Sequence, residues 1–131
     1  MHCGTMQRLM EKAIKYARTR EAFDQKISKY QAVSHKITDM KIRLEAAKLL
    51  AYKAATRLDQ ARDVAIDASM TKIFISEALL QTALDTVQIF GGNGFTTDYE
   101  VERTLRDAVG GKIYSGTNEV QRNILAKWLG L

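Results

Sequence analysis

The sequence contains no proline. A β-rich or loop-rich domain of this size ordinarily uses proline in its turns, so the absence favours long helices. A single cysteine, Cys3, excludes an internal disulfide and fits a reducing compartment, either a bacterial cytoplasm or a mitochondrial matrix. No signal peptide is evident and no stretch reads as a membrane span, so no membrane partner is expected. There is no basic block, no zinc-ligand set and no basic strip interleaved with aromatics, so neither a metal nor nucleic acid is expected. The net charge of +5 is spread along the chain, with signs alternating at Lys41, Arg43, Glu45 and Lys48 and again at Lys53, Arg57 and Asp59. That is the pattern of a solvated helical face. With 131 residues, the chain suffices for one domain, residues 1–131, and not for two cores.

What the sequence has is helical periodicity. From about Gly4 to Arg20, Met6, Leu9, Met10, Ala13, Ile14 and Ala17 form one apolar stripe. No convincing cap precedes it, so the chain is expected to begin partway through an element. A connection, Glu21 to Lys29, leads to a second helix over Tyr30 to Asp59. Its seam of Val33, Ile37, Met40, Leu44, Ala47, Ala51, Ala54 and Leu58 alternates by four and three, as in helices packed lengthwise. A further stripe of Ile42, Leu49 and Tyr52 predicts contact on a second side. The third helix, about Asp63 to Phe90, is apolar nearly all round, which places it at the centre or against a partner subunit. Gly91 and Gly92 end it. Shorter helices fit Tyr99 to Val109 and Asn118 to Leu129, the latter with Thr117 as capping hydroxyl. The expected fold is all-α, an antiparallel up-down four-helix bundle with an additional short helix.

Six of the eight glycines lie between Gly91 and Gly116. In Gln88–Phe95, QIFGGNGF, a helix end, close-set glycines and an amide side chain come together. Glycines let a backbone approach a bulky group and a glutamine can bond a sugar or phosphate, although a helix stop in a tight turn would use the same residues. At fixed distance follow Tyr99, Val101-Glu102-Arg103, Arg106-Asp107-Ala108, then Ile113-Tyr114-Ser115-Gly116-Thr117-Asn118-Glu119 and Gln121-Arg122. Upstream stand Arg20, Phe23 and Gln31-Ala32.

Together these segments, in order and over essentially the whole chain, resemble the C-terminal domain of the acyl-CoA dehydrogenase family. The resemblance implies an FAD enzyme that desaturates acyl-CoA between Cα and Cβ, with electron-transfer flavoprotein as acceptor. It implies a homo-oligomer, dimer or tetramer, and two further domains in the parent protein, without which this chain is expected to be inactive. It places Arg20 against the FAD pyrophosphate of the other subunit and Gln31 at the adenosine end. Gln88, Gly91 and Gly92 approach the ADP part across the dimer. Thr117 and Glu119 touch the dinucleotide of their own chain, and Tyr114 and Gly116 line the thioester end of the acyl pocket. On the residues alone, Arg20 also reads as a helix-end cation and Gln31 as a surface amide, and Arg106 with Asp107 as an internal ion pair. His35 reads as solvated, and His2 and Cys3 carry no catalytic expectation.

Three departures stand out. Ser115 occupies the position where many members carry the glutamate that removes the α-proton. A serine hydroxyl has no useful basicity near neutral pH and no activating neighbour in sequence, so no catalytic residue is assigned in this chain. Three explanations remain open: a glutamate on the first helix upstream of Met1, a base from a partner subunit, or a related flavoprotein of different chemistry or a non-catalytic homologue acting as an assembly module. Asp24 replaces the usual glycine after Phe23 and adds a carboxylate near the expected phosphate. Gly110-Gly111 replace bulkier residues, which predicts a more flexible approach to the Tyr114 loop.

Overall fold

The computed structural model describes residues 1–61 and 63–131. The helices are α1 His2–Thr19, α2 Gln31–Asp59, α3 Ala65–Phe90, the single turn α4 Gly92–Phe95, α5 Val101–Gly110 and α6 Asn118–Trp128. Every helix expected from periodicity is present, with ends within two residues of the expected ones. Two features were not anticipated. Helical structure resumes for one turn at α4 after the Gly91 stop, and the 21–29 connection folds into a small hairpin, β1 Glu21–Ala22 with β2 Gln25–Lys26. Its turn residues Phe23 and Asp24 have φ of 51° and 63°. A two-residue turn of this hand needs positive φ at both positions, and aspartate tolerates it where most residues do not. Asp24 thus satisfies the backbone demand that glycine would meet.

Two connected apolar clusters form the core. In one, Met6 and Leu9 of α1 meet Leu44 and Ala47 of α2, Ile75, Ala78, Leu79 and Ala83 of α3, and Ala108 of α5. In the other, Ala13, Met40, Ile89, Phe90 and Val101 come from the same four helices. The bundle is therefore α1, α2, α3 and α5, and α6 is the additional helix, packed on α3. Pairings across the helices show α1 and α3 running the same way and α2 and α5 running opposite to them. The third helix is central, touched by all the other long helices. By length and composition α3 would also suit a membrane, contrary to the expectation from sequence, but here it forms the middle of the bundle.

Two readings of charge and seam are corrected. The alternating charges on α2 are not all solvated. Arg43 and Lys36 pair with the buried Asp85 of α3, and Lys53 and Arg57 pair at 2.9 and 2.7 Å with the buried Asp67. A buried carboxylate requires such partners, so these clusters pin α2 to α3 in one register. Hydrogen bonding from Lys53, helped by the Arg57 charge, holds the Asp67 carboxyl below its ordinary pKa. The α2 seam ends before Leu58, which is exposed. The second α2 stripe is bare: Ile42, Leu49 and Tyr52 are 61, 70 and 68% exposed.

Candidate functional site

The residues singled out in the sequence gather at two ends of the bundle. At the first end α1 stops at Arg20, whose N–H donates to the Tyr16 carbonyl at 2.8 Å. Beside it α3 stops at Gly91, where φ of 57° with ψ of −135° is a conformation only glycine adopts comfortably. Gly94 has a different constraint, since a Cβ there would stand 2.7 Å from the Val87 carbonyl oxygen. Arg20, Gly91 and Gly92 line one cleft of about 330 Å³ with Tyr16, Phe90 and Asn93. Tyr16 stacks on Phe90 at 4.1 Å and its hydroxyl accepts from the Asn93 amide at 2.9 Å, which fixes the wall of the cleft. Among the described residues Arg20 has no carboxylate partner. Gln88 is exposed one turn back from Gly91, and Gln31 is exposed at the start of α2. Neither lines this cleft.

At the second end the segment 111–117 joins α5 to α6. Ser115 and Gly116 both have positive φ, 57° and 81°. For serine this costs on the order of 1–2 kcal/mol per residue, a cost the anchoring of the loop must exceed. The backbone N–H groups of Ser115 and Gly116 find no acceptor among the described residues. Tyr114 and Ser115 line a cavity of about 440 Å³ with Cys3, Ala54, Lys72 and Ile75, whereas Gly116, Thr117 and Glu119 lie outside its lining. Thr117 is the N-cap of α6 as expected, its hydroxyl accepting from the Val120 N–H at 3.3 Å. Glu119, in the first helical turn, is held below its ordinary pKa by its own backbone N–H and by the Thr117 hydroxyl. No ion pair joins Arg106 and Asp107 among the described residues, and both are exposed.

Sequence reasoning missed the polar anchor under this loop. Asn118 is fully buried, and its Oδ1 accepts from Lys72 Nζ at 2.6 Å and Ser76 Oγ at 3.0 Å. Its Nδ2 donates to Glu77, and its backbone N–H to the Lys112 carbonyl at 3.0 Å. Ser69 donates to Gln121, which in turn donates to the Ser115 carbonyl. Arg122 pairs with Glu77 and keeps that carboxyl below its usual range. Thus α6, which adds no residue to either apolar cluster, is fastened to α3 by hydrogen bonds. The signal that could have revealed this is the spacing of the polar residues Ser69, Lys72, Ser76 and Glu77 along one side of α3.

The two ends are separated by the length of α1. His2 at its start touches Tyr114, and Arg20 follows its last residue, so the two are 18 residues apart. At 1.5 Å per residue that is about 27 Å.

A family model described as acyl-CoA dehydrogenase, C-terminal domain, matches residues 1–130. The chain belongs to the acyl-CoA dehydrogenase family. An acyl-CoA dehydrogenase of Bacillus subtilis is 45% identical over 126 residues, which is 96% of this chain and 33% of the relative. The crystal structure of the prolyl acyl carrier protein oxidase AnaB superposes with a TM-score of 0.97 at 46% identity, over 99% of this chain and 34% of that one. The FAD complex of PigA gives 0.95 at 39% identity, again over 99% and 34%. The chain thus spans about a third of the length of these relatives.

Proposed function

We propose that this chain is the C-terminal bundle of an FAD-dependent dehydrogenase of acyl thioesters, and that each copy contributes to two flavin sites, one at each end. The observation that carries the proposal is the division of the matching residues into two groups about 27 Å apart along α1. One group alone cannot enclose a dinucleotide, and the two groups of one copy lie too far apart to close on the same phosphates. A dimer in which Arg20, Gln88, Gly91 and Gly92 of one copy face the 114–119 loop of the other resolves this.

The residues present fit such a ligand. Arg20 offers an unpaired cation for a pyrophosphate, and a Cβ at Gly91 or Gly92 would meet nothing, so the backbone there is open to approach. The Thr117 hydroxyl is held between the Val120 N–H, from which it accepts, and the Glu119 carboxylate, which fixes the start of α6 beside the proposed dinucleotide. Glu119, held ionised, would repel phosphate and accepts from sugar hydroxyls instead. The bound flavin supplies the hydride acceptor for oxidation of the Cα–Cβ bond. The free N–H groups of Ser115 and Gly116 bind the thioester carbonyl oxygen and stabilise the negative charge it gains when the α-proton leaves. Ser115 itself removes no proton, so the base comes from outside these residues, from an upstream glutamate or a partner subunit.

The thioester is carried by CoA or by a carrier protein. The second reading draws on the likeness to AnaB, a prolyl acyl carrier protein oxidase. Electron-transfer flavoprotein is the proposed acceptor for the CoA reading. The bare α2 stripe of Ile42, Leu49 and Tyr52 is the proposed contact between copies. Anaerobic addition of acyl-CoA and of carrier-bound acyl thioester to the complete flavoprotein tests the reading. Bleaching of the flavin by either supports it and selects the carrier. A protein that keeps its FAD and is bleached by neither contradicts it in favour of an assembly role.

A further inference from the structure

Two features of the sequence remain outside that account: a histidine in the first turn of α1, and Gly110-Gly111 before the loop. The structure joins them. His2 Nε2 lies 3.1 Å from the Tyr114 hydroxyl, a hydrogen bond whose direction follows the imidazole tautomer, and the rings are tilted at 5.9 Å. Gly110 lies against the tyrosine, where a Cβ would stand 3.3 Å from the ring. A Cβ on Gly111 would stand 3.4 Å from His2 Nε2 and 3.1 Å from the Ala108 carbonyl oxygen. Neither glycine has positive φ; Gly110 closes α5 and Gly111 has φ of −56°. At Gly110 the missing side chain leaves room for the Tyr114 ring.

We propose that His2 is a positioning residue for Tyr114, and that Gly110 is the clearance that admits the tyrosine ring. This rests on the reading of Tyr114 as a wall of the thioester end. Tyr114 is 45% exposed and, without a partner for its hydroxyl, its ring would sample several rotamers. The bond to His2 ties it to the start of α1, so the cavity that Tyr114 and Ser115 share keeps one shape. Substrate then meets a preset wall and does not have to order it.

Two measurements test the pair. In long-range proton–nitrogen spectra of the ¹⁵N-labelled chain, Tyr114→Phe moves the His2 Nε2 resonance and leaves that of His35, exposed on α2, in place. Gly111→Ala moves the same resonance. In the complete flavoprotein, His2→Ala raises KM for the acyl thioester about three- to tenfold with a smaller change in kcat, the size expected for one lost hydrogen bond. His2→Gln, which still reaches the hydroxyl with a polar group, recovers most of that loss. An unmoved His2 resonance in Tyr114→Phe overturns the proposal, as does a KM that ignores His2→Ala or is not rescued by glutamine. Should the unaltered protein oxidise no acyl thioester, the function proposed above fails, and the His2 resonance alone decides whether the pair exists.

Discussion

Replacing Asn118 by alanine removes the anchor between α3 and α6. The side chain is fully buried and takes part in three hydrogen bonds: from Lys72 at 2.6 Å, from Ser76 at 3.0 Å and to Glu77 at 3.3 Å. A bond to a charged group contributes about 1.5–3 kcal/mol and a neutral one about 1 kcal/mol. The Lys72 bond is short, and the Glu77 bond is long and belongs at the weak end. With about 2 kcal/mol for Lys72, about 1.5 kcal/mol for Glu77 and about 0.5 kcal/mol for Ser76, whose hydroxyl keeps the Ile73 carbonyl as acceptor while Lys72 keeps the Lys112 carbonyl, the sum is about 4 kcal/mol, large for one substitution. With a urea dependence of about 2 kcal/mol per molar for a domain of this size, the unfolding midpoint falls by about 2 M. Urea titration followed by circular dichroism reads this directly. Amide exchange gives a second readout, since the Asn118 N–H to Lys112 bond holds the loop, and 112–117 should exchange faster while the α1–α2 core does not. A loss below about 1 kcal/mol would refute the reasoning, because it would mean that water or a repacked Lys72 replaces the amide at no cost.

Further outcomes follow from the same geometry. Ser115→Gly relieves a left-handed φ of 57° and raises stability by about 1 kcal/mol, whereas Gly116→Ala, with φ of 81° and a Cβ 2.7 Å from Gln121 Nε2, lowers it by at least that much; thermal melts of both check the pair. Asp67 has a folded pKa below its unfolded one, so its stabilisation is fully present above the unfolded pKa and is lost as pH falls through the folded pKa. Urea midpoints taken from pH 5 to pH 2 should therefore fall less steeply in Asp67→Asn than in the unaltered chain. Ile42→Glu with Tyr52→Glu places carboxylates on the bare α2 stripe and shifts light scattering towards the monomer. If each end supplies only part of a site, as proposed, the isolated chain purifies without flavin colour; a normal flavin spectrum would show that the bundle alone holds the ring.

The helices were legible because their signal is local. The stripe of Met6, Leu9, Ala13 and Ala17 and the seam of Met40, Leu44 and Ala47 are buried as spacing requires. The hairpin at 21–26 was not legible, since strands of two residues have no period to read. Nor was the burial of Asp67, Ser76, Thr82, Asp85 and Thr86. Hydrophobic periodicity counts such residues as surface, yet Thr86 satisfies itself by donating to the Thr82 carbonyl at 2.7 Å, and Asp85 by cations reaching in from α2. The motifs, through the family resemblance, already assigned Arg20 and Gly91 to one site and Thr117 and Glu119 to another; what they did not carry is the Asn118 anchor, because a buried amide with polar partners on α3 has no period to read. Gly110 shows the same limit: glycine announces either freedom or lack of room, and only the position of the Tyr114 ring decides which.

The central claim is that each copy serves two flavins, and complementation between altered copies tests it most directly. In the complete protein, Arg20→Glu and Thr117→Phe each damage every site of a homodimer. In a mixed dimer, both lesions fall on one site and the other is built wholly from unaltered residues. Flavin content measured on mixed dimers isolated with two different tags should therefore return to one FAD per dimer, though both homodimers are depleted. A mixed dimer no richer in flavin than the average of the two homodimers would contradict the account.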